Sequence, residues 1–396
     1  MSNGNNDSRE VTAEMIPDVK KTDCCGCQAC MNACPVSCIE MKPDEEFFLY
    51  PHIDSEKCVH CHACERVCPA LNKNLPENTE NKKVYACWNP DMDKRINSTS
   101  GGVVSVLSEK IISEGGCVVG AYYRDDFTVA HMIGATEQEI LKLRQSKYMQ
   151  SDMGLIYKAV GELLKEGKKV LFCGTPCHNA ALRNYLRVVP DNLFQCDFIC
   201  RGVISPGVFK EYLSYLEKKY KGKAVKVQFK NKDYGWNRFS TKVWFDNGAE
   251  YIRDRYHDPY MVSYLRYSVS LRPSCYECKY KGTERFSDVT VGDFWGIAKK
   301  DSTLDDDHGT SLVMINTEKG QKMFDSVRDG LKYTECSIDD IPGGNMCLSK
   351  SPKIGERRDL FFKDLGKKSF GYIYKRYVLQ RKVSTVLKKF GLNSHK

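Results

Sequence analysis

Four cysteines near the start of the chain, Cys24, Cys27, Cys30 and Cys34, stand in the cadence C-x2-C-x2-C-x3-C with Pro35 directly after. The cadence returns as Cys58, Cys61, Cys64 and Cys68, followed by Pro69. The offset, 58 − 24 = 34 residues, marks a duplicated half-module. Three thiolates at this spacing wrap one 4Fe-4S cube from a tight loop. The fourth begins the next turn and points away, to the other cube. Cys24, Cys27, Cys30 and Cys68 are therefore assigned to one cluster, and Cys58, Cys61, Cys64 and Cys34 to the other. Structural zinc also uses C-x2-C pairs, but it gives no reason for the cadence to occur twice. Cys25 and Cys38 fall outside the cadence and are read as spare thiols in the loops. His60 and His62 lie inside the second loop, where cysteine ligands are already available, and are read as residues that tune cluster hydration and potential.

Such a site moves single electrons, and the rest of the chain must position it. With 396 residues and 45.2 kDa, the chain has room for a small two-cluster ferredoxin module and one sizeable domain with its own core. Hydrophobic residues at 41% and charged residues at 28% give an ordinary globular balance. Met1 to Val19 lacks a basic-then-apolar signal pattern, so the chain is expected to be cytoplasmic. In that compartment thiols stay reduced, and twenty cysteines point to metal rather than disulfides. No apolar run is long enough to predict a spanning helix. The formal charge of +9 counts every cysteine as neutral. Each cluster with its thiolates brings roughly −2, so two clusters lower the net charge to roughly +5 and three to roughly +3. The basicity is thus no argument for nucleic acid, and no nucleic-acid-binding motif is present.

Asn74 to Lys83 is polar and aperiodic and reads as a linker. Ser98-Thr99-Ser100-Gly101-Gly102 then leads into a helical stretch through Leu107 and Ile111. Small hydroxyl and glycine residues before a helix leave N–H groups free for an anion, although an ordinary N-cap explains Ser100 equally well. Gly116 to Tyr123 is β-rich, Glu137 to Leu143 is helical, and Ser146-Lys147-Tyr148 follows. Lys169 to Phe172 reads as a buried strand, Cys173 to Cys177 as a loop and His178 to Leu186 as a helix. Asp197, Cys200 and Gly202 come after another short apolar strand. The alternation predicts an α/β core, α+β overall with the small module, in which ligands sit at the strand C-termini. Cys275 and Cys278 form a further C-x2-C pair that needs two more ligands to hold a cluster. Cys173, Cys177 and Cys200 are the candidates on strand-end loops, and the spacing leaves a third metal site open.

Taken in order, several elements resemble the coenzyme F-420 hydrogenase/dehydrogenase beta-subunit family, in its form with an N-terminal two-cluster ferredoxin. They are Ser100-Gly101-Gly102, Ser146-Lys147-Tyr148, Gly174-Thr175-Pro176-Cys177 and Asp197-x2-Cys200-x-Gly202. Cys275-x2-Cys278 leading to Arg285, Asp288, Gly292 and Asp293 completes the series, and the resemblance runs to about Gly320. It implies that the large domain binds FAD through Ser100, Gly101, Gly102, Ser146, Lys147, Tyr148, Gly174, Thr175 and Pro176. It also implies a third 4Fe-4S cluster near the flavin, on Cys177, Cys200, Cys275 and Cys278, with Cys173 a bystander. The chemistry it implies is redox at the flavin ring. Phe229-Lys230-x-Lys232 with Gly235-Trp236, and the stretch Arg272 to Tyr280, resemble a bacterial branch found beside polysaccharide-synthesis enzymes. In that branch coenzyme F-420 itself is less expected as a partner, and the resemblance does not fix the substrate.

The functional expectation is an iron–sulfur flavoprotein oxidoreductase. Electrons would enter from a ferredoxin or another redox protein, cross the clusters, and reach FAD and an unknown organic acceptor, or run in reverse. Lys147 and Tyr148 are candidate proton donors; the competing reading has Lys147 pair with a flavin phosphate and Tyr148 pack. Asp293 is read as orienting a cluster ligand, binding substrate or capping a turn, ahead of Phe294 and Trp295 in the core. The alternative function is an electron-transfer subunit without a small-molecule substrate. Basic pairs from Arg357-Arg358 to Lys388-Lys389 interleave with aromatic and aliphatic residues. Such a helix can lie on an anionic membrane, but the reading adopted is a helix packed on the domain with a solvated positive face. The expected layout is a polar tail (1–20), the ferredoxin module (21–73), a linker (74–83), the flavin/iron–sulfur domain (84–345) and a basic helical segment (346–396), in a chain free to oligomerise.

Overall fold

The structure is a computed structural model that describes residues 16–80, 82–341 and 344–379. Its N-terminal module is built twice over. Each cysteine run closes on a short helix, Ala29–Ala33 and Ala63–Val67, entered from a left-handed residue, Gln28 (φ 66°) and His62 (φ 57°). Between the runs, β1 (Ile39–Pro43) pairs antiparallel with β2 (Leu49–Ile53), Ile39 opposite Ile53. The module's own apolar cluster is little more than Ile16, Val19 and Ile39 among cysteines. A core this small depends on metal and on what it packs against.

Eleven further strands follow: β3 (Val84–Trp88), β4 (Cys117–Tyr123), β5 (Val129–Gly134), β6 (Val170–Gly174), β7 (Leu193–Phe198), β8 (Ala224–Asn231), β9 (Ser240–Phe245), β10 (Glu250–Asp254), β11 (Val289–Asp293), β12 (Ser311–Ile315) and β13 (Lys332–Cys336). Eight of them form one sheet in the order β13-β3-β12-β11-β7-β6-β4-β5. At its centre β11, β7, β6 and β4 are parallel, with antiparallel partners outside them. Runs such as Val170-Leu171-Phe172 are buried without alternation, because helices cover both faces. The α/β expectation is met. β8, β9 and β10 form a second, antiparallel sheet inserted between β7 and β11.

The topology gathers the strand ends. Gly174 pairs with Asp197 and Phe198 with Val291, so β6, β7 and β11 finish at one edge. Helix Val103–Ser113 returns to the start of β4 through only Glu114–Gly116, which puts its N-terminus and the Ser98–Gly102 segment at that same edge. The loop expected over Cys173–Cys177 is shorter: β6 runs through Gly174, and a helix, Pro176–Leu186, starts two residues later. Thr175 caps it by accepting from His178 N (3.3 Å), and proline at the first position is pre-set for helix.

The expected segments are tied together. Phe48 and Tyr50 of the module share a core with Phe209 and Phe229 of the large domain and with Phe361 and Phe370 of the C-terminal segment. The stretch read as a linker is a strap: Thr79 N donates to Asn316 O (2.9 Å), and Arg183 Nε to Asn74 O (2.9 Å). Arg358 grips the Glu46 carboxylate with both terminal nitrogens, so the C-terminal segment clamps the module. The basic pairs Arg381-Lys382 and Lys388-Lys389 lie outside the described residues. No helix among the described residues is long and apolar enough to cross a membrane.

Candidate functional site

The two cluster loops have different surroundings. Val59, His60, Cys61 and His62 are exposed, whereas Gly26 to Cys30 are buried against the large domain. At Gly26 (φ 70°) a Cβ would lie 2.4 Å from Gln150 Nε2 and 2.9 Å from the Arg272 guanidinium. The fully buried Arg272 donates from Nε to Cys24 O (2.8 Å), directs Nη2 at Cys24 Sγ (3.6 Å) and covers the Tyr50 ring. Burial, then the neighbouring Cys24 and Cys68 sulfurs, push the Cys30 thiol well up, so Cys68 stands beside the first run. Cys34 Sγ lies 3.4 Å from Cys38 Sγ, and Cys38 also meets Cys58. Cys38, read as spare, thus stands between two cysteines assigned to the other cluster.

Beyond the first loop, a small cavity at the ends of β6 and β7 is lined by Cys25, Cys177, Cys200, Cys275, Cys278 and Cys347. The four cysteines implied by the resemblance meet here. Cys173 does not join them; its sulfur meets Cys196 within the sheet. Thr175 Oγ1 is 3.0 Å from Cys177 Sγ, and Val203 N donates to Cys275 Sγ (3.5 Å). Gly202 is required by close approach, since a Cβ there would lie 2.8 Å from Cys275 Cβ. Burial pushes Cys200 up to about 11 and Cys275 to about 12. Thiolates held in such a place need a compensating cation, which is how these residues fit a metal cluster. Among the described residues no three or more His, Cys, Asp or Glu side chains converge as ligands of a single ion would. A four-iron cube spaces its thiolates more widely than that. Cys25 rests its thiol against Cys177 and Cys27, joining the first loop to this cavity. Its place was hinted at only by adjacency to Cys24; Cys347 stands in no spacing motif and emerges only in three dimensions.

A cavity of about 850 Å³ adjoins the thiol cavity, and Thr175, His178, Cys200, Arg201 and Gly202 border both. Ser100, Gly102, Ser146, Lys147, Tyr148, Gly174 and Thr175 line it, as expected of residues around one ligand. Two expected residues do not. Gly101 is pressed to the Cys87 carbonyl, where a Cβ would lie at 2.2 Å, and its N–H donates to Ser311 Oγ (2.9 Å). Pro176 faces the thiol cavity. Ser100 is not an N-cap; its hydroxyl donates to Thr310 O (2.8 Å), and Gly102 (φ 87°) starts the helix without a side-chain cap. That leaves the helix N-terminus open to the cavity, a setting that suits an anion.

Lys147 Nζ donates to the carbonyls of Arg144 (2.8 Å) and Gln145 (3.2 Å), closing the C-terminal end of helix Glu137–Leu143. Burial pulls the ammonium down to about 7. Burial pushes the Tyr148 phenol the other way, and its ring packs against Phe229 and Tyr264. His131 and His178 meet edge-on at 5.1 Å, and His178 Nδ1 is buried without a hydrogen-bond partner among the described residues. Asp293 neither caps a turn nor touches a cysteine: it accepts from Lys230 Nζ (2.8 Å) and Trp236 Nε1 (2.7 Å). Phe294 is core as expected, but Trp295 is half-buried, stacks on Trp236 (4.4 Å) and faces the cavity. Asp197 pairs with Arg285 (3.0 Å), and Asp288 accepts from Gln195 N (2.9 Å); both pin β11 to β7.

Duplicated four-iron cysteine loops docked on a mixed α/β sheet, with more thiols and a ligand-sized cavity at the strand ends, define an iron–sulfur oxidoreductase subunit of the electron-transfer kind. Residues 167–341 match the C-terminal part of the beta subunit of coenzyme F420 hydrogenase/dehydrogenase, and residues 23–72 match the 4Fe-4S dicluster domain. The chain belongs to the coenzyme F-420 hydrogenase/dehydrogenase beta-subunit family, with the dicluster domain at its N-terminus. Over 320 residues it is 22% identical to one of the subunits of the F(420)H(2) dehydrogenase of Methanosarcina mazei, covering 79% of this chain and 84% of the relative. A solved structure of the F420-reducing NiFe hydrogenase complex from Methanosarcina barkeri aligns over 81% of this chain and 95% of that chain, with 18% identity and a TM-score of 0.46.

Proposed function

We propose that this chain is an iron–sulfur flavoprotein oxidoreductase that relays electrons between a redox protein such as a ferredoxin and an organic acceptor. The observation that carries the proposal is the order of the sites. The exposed loop around Cys61 adjoins the buried loop around Cys27, Cys25 connects that loop to the thiol cavity, and the thiol cavity shares a wall with the large cavity. Cys177, Cys200, Cys275 and Cys278 would hold the third cluster. Ser100, Gly102, Ser146, Lys147, Tyr148, Gly174 and Thr175 would hold FAD, its phosphates facing the open helix N-terminus at Gly102. Bound clusters supply one-electron steps, and a bound flavin supplies the centre where two electrons can be paired.

The chain's own residues bind, orient and exclude water. Lys147, with a proton affinity near neutrality, is the group that can hold or release a proton at Nζ. Tyr148 keeps its proton and serves as a donor or a packing surface. A second reading, in which the chain hands electrons to a partner protein and has no small-molecule substrate, is favoured by the Methanosarcina mazei relative, itself named as one subunit of a dehydrogenase. Anaerobic purification followed by assay of iron, sulfide, zinc and flavin tests the proposal. About twelve irons and one FAD per chain is the expected result. About eight irons without flavin would reduce the chain to a ferredoxin module on a binding domain. Zinc in place of the last four irons would make Cys275 and Cys278 structural.

A further inference from the structure

We infer that the large cavity contains a second subsite in which Arg255 holds an anionic group, a carboxylate or a phosphate, of the organic acceptor. The inference rests on the reading above, in which the flavin takes the part of the cavity at Gly102 and Lys147. The cavity is lined by five basic side chains, Arg144, Lys147, Arg201, Lys230 and Arg255, against one carboxylate, Asp293. Four of the five are already engaged. Arg144 pairs with Glu109 (3.1 Å), Lys147 with helix-end carbonyls, Arg201 with Leu265 O (3.0 Å) and Ser268 Oγ (2.8 Å), and Lys230 with Asp293 (2.8 Å). Among the described residues Arg255 has no ion pair and no side-chain hydrogen bond, and its Nε is buried without a partner.

The protein nevertheless holds this guanidinium in place. Its centre lies 4.9 Å from the Phe239 ring, 5.2 Å from Tyr256 and 5.3 Å from Trp295. The backbone N–H of Arg255 donates to Phe239 O (2.9 Å), and Trp295 is itself fixed by stacking on Trp236. Aromatic faces occupy the flat sides of a guanidinium and leave its edge, with the N–H fork, for a planar or tetrahedral oxyanion. Asn345 adds a second buried donor on the same cavity, Nδ2, without a partner among the described residues. It follows Gly344, which packs so closely on Trp295 that a Cβ would lie 1.9 Å from the tryptophan carbonyl. Tyr256 is exposed, so this part of the cavity opens to solvent and can admit an acceptor. With Lys230 neutralised by Asp293, Arg255 is the one uncompensated charge among the described residues of the cavity wall, and an anionic ligand completes the site.

The test titrates anaerobic holoprotein with benzoate, phenyl phosphate and the neutral benzamide, read by tryptophan fluorescence, with flavin content measured in parallel. Wild type is expected to show saturable quenching by at least one anion and none by benzamide; the anion that binds tells carboxylate from phosphate. Arg255→Gln should weaken that binding at least about tenfold with flavin retained, and Arg255→Lys should fall between. Unchanged anion binding in Arg255→Gln, or no anion binding in wild type, would overturn the inference. Loss of flavin from Arg255→Gln would also overturn it, by assigning the arginine to the cofactor's own phosphate. Wild type purified without flavin would instead refute the underlying reading, while the fluorescence titration still decides for or against Arg255.

Discussion

Position for position, Gly26 of the first cysteine run answers to His60 of the second, Gln28 to His62, and Cys25 to Val59. Both runs use left-handed backbone at the same two places, with φ of 70° and 66° in one and 48° and 57° in the other. The ligands and the loop geometry are thus shared, and what lies around them is not. The first loop has Arg272, Gln150 and the large domain against its backbone; the second has solvent. Cluster potentials respond to hydrogen bonds at sulfur, local charge and hydration, so two cubes with identical ligands are set to different tasks. The buried one faces inward to the thiol cavity, and the exposed one is placed to meet a partner.

Exchanging the residues at the matching left-handed position breaks this comparison most forcefully. Gly26→His drives a side chain into Gln150 and Arg272 from a strained backbone and should cost roughly 2–5 kcal/mol, with loss of the inner cluster's iron. The mirror change, His60→Gly, should leave iron content unchanged and stability within about 0.5 kcal/mol. Thermal unfolding and iron assays on the two variants check both. A smaller effect is expected from Arg272→Gln, with Arg272→Lys as the charge-keeping control. Removing the positive charge and the N–H directed at Cys24 Sγ disfavours the reduced, more negative cluster. The inner potential should fall by on the order of 50 mV in an EPR-monitored titration while the outer one stays fixed. The smallest effect belongs to Cys25→Val, which copies Val59 into the buried loop. If Cys177, Cys200, Cys275 and Cys278 ligate the third cluster, iron should stay at about twelve per chain, with only a modest change in one cluster's EPR spectrum. A fall to about eight would make Cys25 a ligand.

Local signals were legible where the chemistry is local. Helix Glu137–Leu143 appears as read, because Thr136 and Glu139 form a capping box at its start. The strand and helix around Gly174-Thr175-Pro176 were read correctly in kind but with too long a loop, since the Thr–Pro pair starts the helix at once. Trp295 was taken for core because an aromatic beside Phe294 and a strand end gives no clue to which face it takes. The polar segment 74–83 looked like a tether; its amides and carbonyls instead satisfy Arg183, Arg285 and Asn316, partners far away in sequence.

The sequence by itself determined the two four-iron loops, the α/β alternation and the family, because each depends on spacing within a few dozen residues or on the order of short motifs. Only the tertiary structure decided which thiols share a cavity and which cations remain unpaired. Cys25 reaches Cys177, and Cys347 reaches Arg201, across long stretches of chain. Arg255 is distinguished from four other basic residues solely by lacking a partner. Such facts follow from how the strand ends and the inserted sheet pack around one edge, where distance along the chain no longer measures distance in space.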